Sequence, residues 1–154
     1  MKNKIVFFIF MLFSSSLAQS ISFETGLGFI ENIVSGKATQ EYSPDIKLGL
    51  RGTVPIDKSM DFFIAPYYAK GFGIDTGLWF NFPVSLEDEV DFDSYAGLGI
   101  SIIDNRIGMN LVVSVSYEVS KDNQITLSYT HRPLFTPVLN QSFDIALGYK
   151  IVLH

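Results

Sequence analysis

The sequence predicts an all-β fold, an eight-stranded antiparallel up-and-down transmembrane β-barrel, and three observations lead there. Residues 107–117 and 143–153 each place an apolar side chain at every second position over eleven residues. A period of two puts one set of side chains on each face of a β-strand. Ordinary strands average about 5–6 residues, whereas a tilted strand that crosses a bilayer needs roughly 9–11. Hydrophobic residues make up 47% of the chain but are dispersed by alternation, as in barrels that face lipid.

The same alternation defines eight candidate strands along the chain. They are residues 20–30, 45–54, 60–69, 72–82, 92–103, 107–117, 124–131 and 143–153. The third strand is apolar on both faces and contains Pro66, so its phase stays open and a bulge is expected there. Compact turns at 55–58, 104–105 and 120–123 alternate with longer loops at 31–44, 83–91 and 132–140. An even number of strands joined in sequence is typical of an up-and-down barrel.

The first eighteen residues have the pattern of a cleaved secretory signal peptide. Lys2 and Lys4 form a short positive region, and residues 5–13 form an unbroken apolar run of nine. Small residues then precede a cleavage point after Ala18. The run is too short for a membrane-spanning helix, which needs about 20 residues. We therefore expect a signal peptide at 1–18, a single barrel domain at 19–154, and export to the outer membrane of a diderm bacterium.

Composition excludes several classes of function. After the leader the chain has nine basic and sixteen acidic residues, a formal charge of −7, which argues against a nucleic-acid partner. It contains no cysteine, so neither a disulfide framework nor a thiolate metal site can form. No cofactor is expected.

The polar face of the predicted strands is rich in glycine, which indicates a narrow barrel interior. A water-facing strand surface should be rich in Lys, Glu and Thr, whereas glycine weakens a strand unless space is tight. Eight strands leave a lumen that side chains can just fill, and Trp79 is expected inside it. The small residues make room for a closed internal polar network of Glu24, Lys47, Arg51, Asp75, Asp93, Glu118, Asp144 and Lys150.

The opposite phase of the same alternation predicts a different protein. A soluble periplasmic barrel that binds an apolar ligand would turn the apolar face inward and the glycine-rich face to water. The orientation of the strand at 107–117 discriminates between these two folds.

The last third of the chain resembles the outer-membrane lipid A deacylases of the PagL type. The resemblance lies in residues 104–108, 127–131 and 147–151. It implies an eight-stranded barrel with a catalytic histidine on the lipid-facing wall, which makes His131 the candidate catalytic residue. The family's nucleophilic serine lies two residues further on, where this chain has Pro133. Its orienting glutamate lies at the entry of the next strand, where this chain has Asn140, Gln141 and Ser142.

An acidic cluster lies between the fourth and fifth predicted strands. Carboxylates at alternate positions are ligands for a hard cation such as calcium, so Glu87, Glu89 and Asp91 are the candidate metal ligands. No glycine-containing loop signature accompanies them, and a solvated acidic loop is the alternative. Counting the strands from a periplasmic start places this loop on the periplasmic side, although it is longer than periplasmic loops usually are. One missed strand would place it on the outer side instead.

These observations predict a small outer-membrane protein with a non-enzymatic structural or surface-interaction role. Its expected partners are outer-membrane lipid and lipopolysaccharide, and the barrel-assembly machinery during insertion. The loops at 31–44 and 132–140 are the expected contact regions. The alternative functions are a lipid A-modifying esterase and the soluble periplasmic barrel.

Overall fold

The computed structural model describes residues 20–34, 37–39, 45–69, 71–86, 90–104, 106–135 and 140–153. They form β1 (Ser20–Val34), β2 (Lys37–Thr39), β3 (Asp45–Pro55), β4 (Met60–Ala69), β5 (Gly71–Leu86), β6 (Val90–Ile103), β7 (Arg106–Ser120), β8 (Asn123–Leu134) and β9 (Asn140–Val152). In this part of the chain we find no helix long and apolar enough to span a membrane. The predicted signal peptide at 1–18 lies outside the described residues.

Eight of the strands close into a barrel. From β3 to β9 each strand pairs antiparallel with the next, and β1 pairs with both β3 and β9. The closing ladder runs from Ser20 opposite Val152 to Asn32 opposite Asn140. The short β2, which the sequence did not predict, pairs only with the far end of β1. The predicted eight-stranded antiparallel barrel is therefore confirmed.

The two ends of the barrel differ. The connections from β3 to β4, β5 to β6 and β7 to β8 lie at the end that carries Ser20 and Leu153, which we call the turn end. The other end, which we call the loop end, carries the connections from β1 to β3, β4 to β5, β6 to β7 and β8 to β9.

The barrel turns its apolar face outward. Leu111, Val113 and Leu147 are 47%, 59% and 55% exposed. Asn110 and Asp144, on the opposite faces of the same two strands, are buried. This phase is the one predicted for a transmembrane barrel, and it is the reverse of the phase expected for the soluble alternative.

The acidic segment at 83–91 is mostly not a loop. β5 continues to Leu86 and β6 begins at Val90, and these two residues pair with each other. Only residues 87–89 separate the two strands, because the paired strands of this hairpin extend beyond the residues in which the sequence alternates. The segment lies at the turn end, beside the described chain ends, as strict counting of the strands predicts. The length of the expected loop was wrong.

Pro66 interrupts the wall without a bulge. β3 and β4 pair from Leu48 opposite Tyr68 to Gly49 opposite Tyr67, and again from Gly52 opposite Ile64, in one unchanged register. The ladder lacks the two positions between, where Pro66 faces Leu50. Proline has no N–H to donate, so the pairing is lost locally while the strand keeps its phase. The described bulge lies elsewhere, in β7 between Glu118 and Ser120.

An aromatic layer fills the interior on the turn-end side. Trp79 is 4% exposed and its ring lies 5.7 Å from Phe63 and 5.0 Å from Tyr95 between centroids. Ala65 and Val112 complete this buried cluster. The layer explains why β4 is apolar on both faces: its inward side chains pack against other rings, and its outward side chains belong to the outer wall.

Candidate functional site

Arg132 is the centre of the charged interior. Its Nη2 lies 2.6 Å from Oδ2 of Asp75, and its Nε donates to both oxygens of that carboxylate at 3.0 and 2.9 Å. Its Nη1 donates to Asp144. Arg132 is 1% exposed, and both carboxylates are equally enclosed. A guanidinium with its donors in a planar fork suits such two-sided binding of carboxylates.

The chain of charges continues from Asp144 across to β3 and β1. The Nζ of Lys47 lies 2.9 Å from Asp144 and 3.7 Å from Glu24. Arg51 completes the series at 3.1 Å from Glu24. Three cations and three carboxylates thus alternate through the lumen, and we call these six residues the interior ion chain. A buried charge needs an opposite partner, and here each of the six has at least one.

Aromatic rings support the cations of the interior ion chain. The ring of Tyr67 lies 4.5 Å from the guanidinium carbon of Arg132 and 5.1 Å from the Nζ of Lys47. Arg51 lies over the ring of Trp79 at 4.4 Å. Such placement of a cation over a ring face is attractive, more so where water is excluded. The ion chain therefore rests directly on the aromatic layer, and together they obstruct the lumen.

The remaining predicted lumen residues lie outside the ion chain. The Nζ of Lys150 approaches the hydroxyl of Tyr95 at 3.4 Å, and Asp93, partly exposed, accepts a hydrogen bond from Gln124 at 3.1 Å. Glu118 differs from the expectation, because it is exposed at the turn end beside the bulge of β7. The structure thus brings together five of the eight predicted residues with Arg132: Glu24, Lys47, Arg51, Asp75 and Asp144.

Arg132 belongs to the loop expected at 132–140, but the structure places it in β8, and the alternation of that strand already indicates this position. The inward residues of this strand are Thr126, Ser128 and Thr130. Continuing the alternation by two residues puts Arg132 inward and His131 on the wall. Pro133 has no N–H to donate, yet β8 continues through it to Leu134.

His131 lies on the outer wall and is half-buried. Its Nε2 is 2.8 Å from Oε1 of Gln141, which lies on β9 opposite Pro133. The residues opposite His131 on the adjacent strands are Leu111 and Phe143, and Pro133 follows on its own strand. None of these three carries a hydroxyl. Acyl transfer by a serine–histidine pair needs such an attacking atom, and these positions do not supply one.

The candidate metal ligands Glu87 and Glu89 lie outside the described residues, and of Asp91 only the backbone in β6 is described. Across the described ranges, no three side chains of His, Cys, Asp or Glu are grouped to hold a metal ion.

No protein-family model matches the sequence, and no curated protein matches it either. Solved structures do match. The outer membrane enzyme PagL has a TM-score of 0.64 at 12% identity, over 87% of this chain and 99% of that one. Neisserial surface protein A has 0.60 at 12%, over 86% and 97%. The outer membrane protein OprG from Pseudomonas aeruginosa has 0.50 at 11%, over 88% and 97%.

Fold and interior together define the class of this protein. It is a small eight-stranded transmembrane β-barrel, similar in architecture to outer-membrane barrels of known structure. The predicted resemblance is confirmed at the level of the fold.

Proposed function

We propose that this protein resides in a bacterial outer membrane, reached through a cleaved signal peptide, and has a non-enzymatic structural or surface-interaction role. The observation that carries the proposal is the interior ion chain. Arg132 binds Asp75 on β5 and Asp144 on β9, so charges cross the lumen where a channel would need open water. An interior filled in this way supports a role for the barrel as a scaffold and not as a pore.

The loop end is the proposed contact surface. Three of its connections involve residues that the sequence analysis assigned to contact loops or turns, and the hairpin of β1 and β2 extends beyond the ladder with β3. Connections at one end of a rigid barrel are suited to contacts with partners. Lipopolysaccharide and outer-membrane lipid are the proposed surroundings, and the barrel-assembly machinery the proposed partner during insertion.

A second candidate function is a lipid A-modifying esterase. The observation that favours it is the hydrogen bond between His131 and Gln141 on the lipid-facing wall. A neutral amide accepts a hydrogen bond from the imidazole but does not stabilise an imidazolium as a carboxylate does. The pair therefore lacks both the orienting charge and the hydroxyl at position 133 that the family's chemistry uses.

Acyl release from lipopolysaccharide distinguishes the two functions. We expect the purified barrel in detergent to release no fatty acid, and His131→Ala to leave that result unchanged. The double variant Pro133→Ser with Gln141→Glu introduces the missing groups and shows whether the assay detects hydrolysis from this wall. Fatty-acid release by the native chain that His131→Ala abolishes would overturn the non-enzymatic proposal.

The proposed location is tested separately. Membranes of the producing bacterium are extracted with sodium carbonate, and the protein should stay in the outer-membrane pellet. Release into the supernatant would contradict membrane insertion. Sequencing of the N-terminus of the recovered protein should show a chain that begins after Ala18.

A further inference from the structure

The outer wall carries a groove where β1, β3 and β4 meet. It is open to the outside, has a volume of about 500 Å³, and is lined by Phe23, Glu24, Thr25, Leu48, Gly49, Leu50, Pro66, Tyr67 and Tyr68. That volume lies within the range of small-molecule sites, about 300–1,000 Å³. The groove coincides with the gap in the ladder, where Pro66 cannot donate to the carbonyl of Leu50 that the register sets opposite it.

The rims of the groove belong to the lipid-facing surface. Phe23, Leu48 and Tyr68 are 56%, 58% and 59% exposed, on three successive strands of the wall. The alternation directs them outward, together with Thr25 and Leu50. The groove is therefore continuous with the apolar belt that the fold presents to the bilayer.

The floor of the groove reaches the layer of inward residues. Gly49 has no side chain there, and a Cβ built on it would lie 3.2 Å from the Cβ of Tyr67 and 3.3 Å from the carbonyl oxygen of Pro66. Gly49 is paired with Tyr67 at the edge of the gap, and Leu50 faces Pro66 within it, so the floor of the groove borders the unpaired stretch of the wall. A chain lying in the groove would contact both the rims and this floor.

We infer that this groove is a binding site for a single acyl chain of a membrane lipid. The lining is apolar along the rims, and the medium that meets them in a transmembrane barrel is hydrocarbon. An acyl chain that lies in this groove contacts its apolar rims and leaves its headgroup outside. This site goes beyond the proposed scaffold role and depends only on the transmembrane fold.

The test uses the full chain refolded in detergent micelles, where bulk lipid is dilute. The probe is a phosphatidylcholine with a photoactivatable diazirine in one acyl chain, added in small amount and followed by irradiation and peptide mass spectrometry. We expect cross-links concentrated on the groove residues of β1, β3 and β4. The equally exposed wall around Leu98 and Leu111, which are 51% and 47% exposed, should carry few. Even labelling around the barrel would overturn the inference.

Two variants sharpen the test. Leu48→Trp fills the groove and should remove most of the groove labelling, whereas Leu98→Trp, the same change on β6, should leave it intact. Pro66→Ala supplies the missing N–H, which should close the ladder and also reduce labelling. The electrophoretic mobility of samples that have not been heated checks that each variant is folded. Equal labelling of the groove in both tryptophan variants would contradict the proposed site, whatever the behaviour of Pro66→Ala.

A separate control tests whether the groove recognises the acyl chain of the lipid and not its headgroup. A free fatty acid that carries the same diazirine should label the same residues, because the groove contacts the hydrocarbon. Labelling by the phospholipid alone would show that the headgroup is the recognised part and would contradict an acyl-chain site.

Discussion

The guanidinium of Arg132 on β8 binds the carboxylate of Asp75 on β5 through three contacts of 2.6 to 3.0 Å. These residues are 57 positions apart in the chain and three strands apart around the wall. Ser101 donates to the same carboxylate at 2.6 Å from β6. The pair therefore links distant parts of the barrel through its interior, in addition to the ladder that closes its wall.

Replacing Arg132 by methionine should destabilise the barrel strongly. The change removes the cation that Asp75 binds, whereas Asp144 keeps Lys47, and the uncompensated buried charge of Asp75 costs about 3–5 kcal/mol. The free energy of unfolding in urea, measured for the barrel in lipid vesicles, should fall by that order. Arg106→Met is the matched control, because Arg106 is exposed at the start of β7, and it should change the free energy by well under 1 kcal/mol. Equal losses in the two variants would contradict the prediction.

Arg132 and its partner Asp75 can also be changed together. Arg132→Met with Asp75→Asn should be less destabilised than the sum of the single changes, because the second change removes the orphaned charge. Coupling between contacting residues is about 0.5–3 kcal/mol. Additive effects would mean that the two side chains do not stabilise each other in the folded barrel.

The fold was predictable because its governing constraint is local. Alternation over eleven residues, as in 107–117, fixes both strand length and face without any knowledge of the partner strands. The abundance of glycine on the polar face then indicates that this face points into the barrel. Both inferences need only the properties of consecutive residues, and the structure confirms the barrel they predict.

The parts that were missed depend on tertiary context. Pro66 and Pro133 read as interruptions, yet β4 and β8 continue through them because the flanking ladders hold the strands in register. Arg132 is the centre of the ion chain because it lies close to Asp75 and Asp144 in three dimensions. No spacing in the sequence encodes that proximity. A fold shared with an enzyme does not determine the chemistry at His131, because that chemistry depends on the groups beside the imidazole. None of Leu111, Pro133 and Phe143 carries a hydroxyl.

The closed interior should shield Trp79 from dissolved ions. Trp79 is the single tryptophan of the chain, is 4% exposed, and lies in the aromatic layer beneath Arg51. We expect iodide to quench its fluorescence several-fold less in the folded barrel than in the chain unfolded in urea. The nearby Arg51 would attract an anion, so weak quenching reports steric closure. Quenching as strong as in the unfolded chain would show that ions reach the interior and would contradict its closure around Trp79.

The turn between β3 and β4 carries a carboxylate with a shifted pKa. The backbone N–H of Ser59 donates to Oδ1 of Asp57 at 2.8 Å and its hydroxyl does so at 3.1 Å, which lowers the pKa of Asp57. Both bonds favour the ionised form, so their contribution to stability is present above the unfolded pKa of about 3.9 and is lost as pH falls through the folded value. Titration of the Asp57 carboxyl by NMR should give a midpoint below 3.9. Ser59→Ala removes the hydroxyl donor and should raise this midpoint, and an unchanged midpoint would contradict the prediction.

The absence of a side chain at Gly73 makes room for the ring of Tyr67. A Cβ at position 73 would overlap that ring, which lies between Lys47 and Arg132 and is buried. Gly73→Ala should therefore lower the free energy of unfolding by about 1–3 kcal/mol, as overpacking of a filled interior does. In a Tyr67→Ala background the same change should cost almost nothing, because the ring is gone. Gly28→Ala is the matched control, since the nearest atom to its Cβ is 3.8 Å away. An equal cost for Gly73→Ala in both backgrounds would show that the glycine is needed for its backbone and not for the space it leaves.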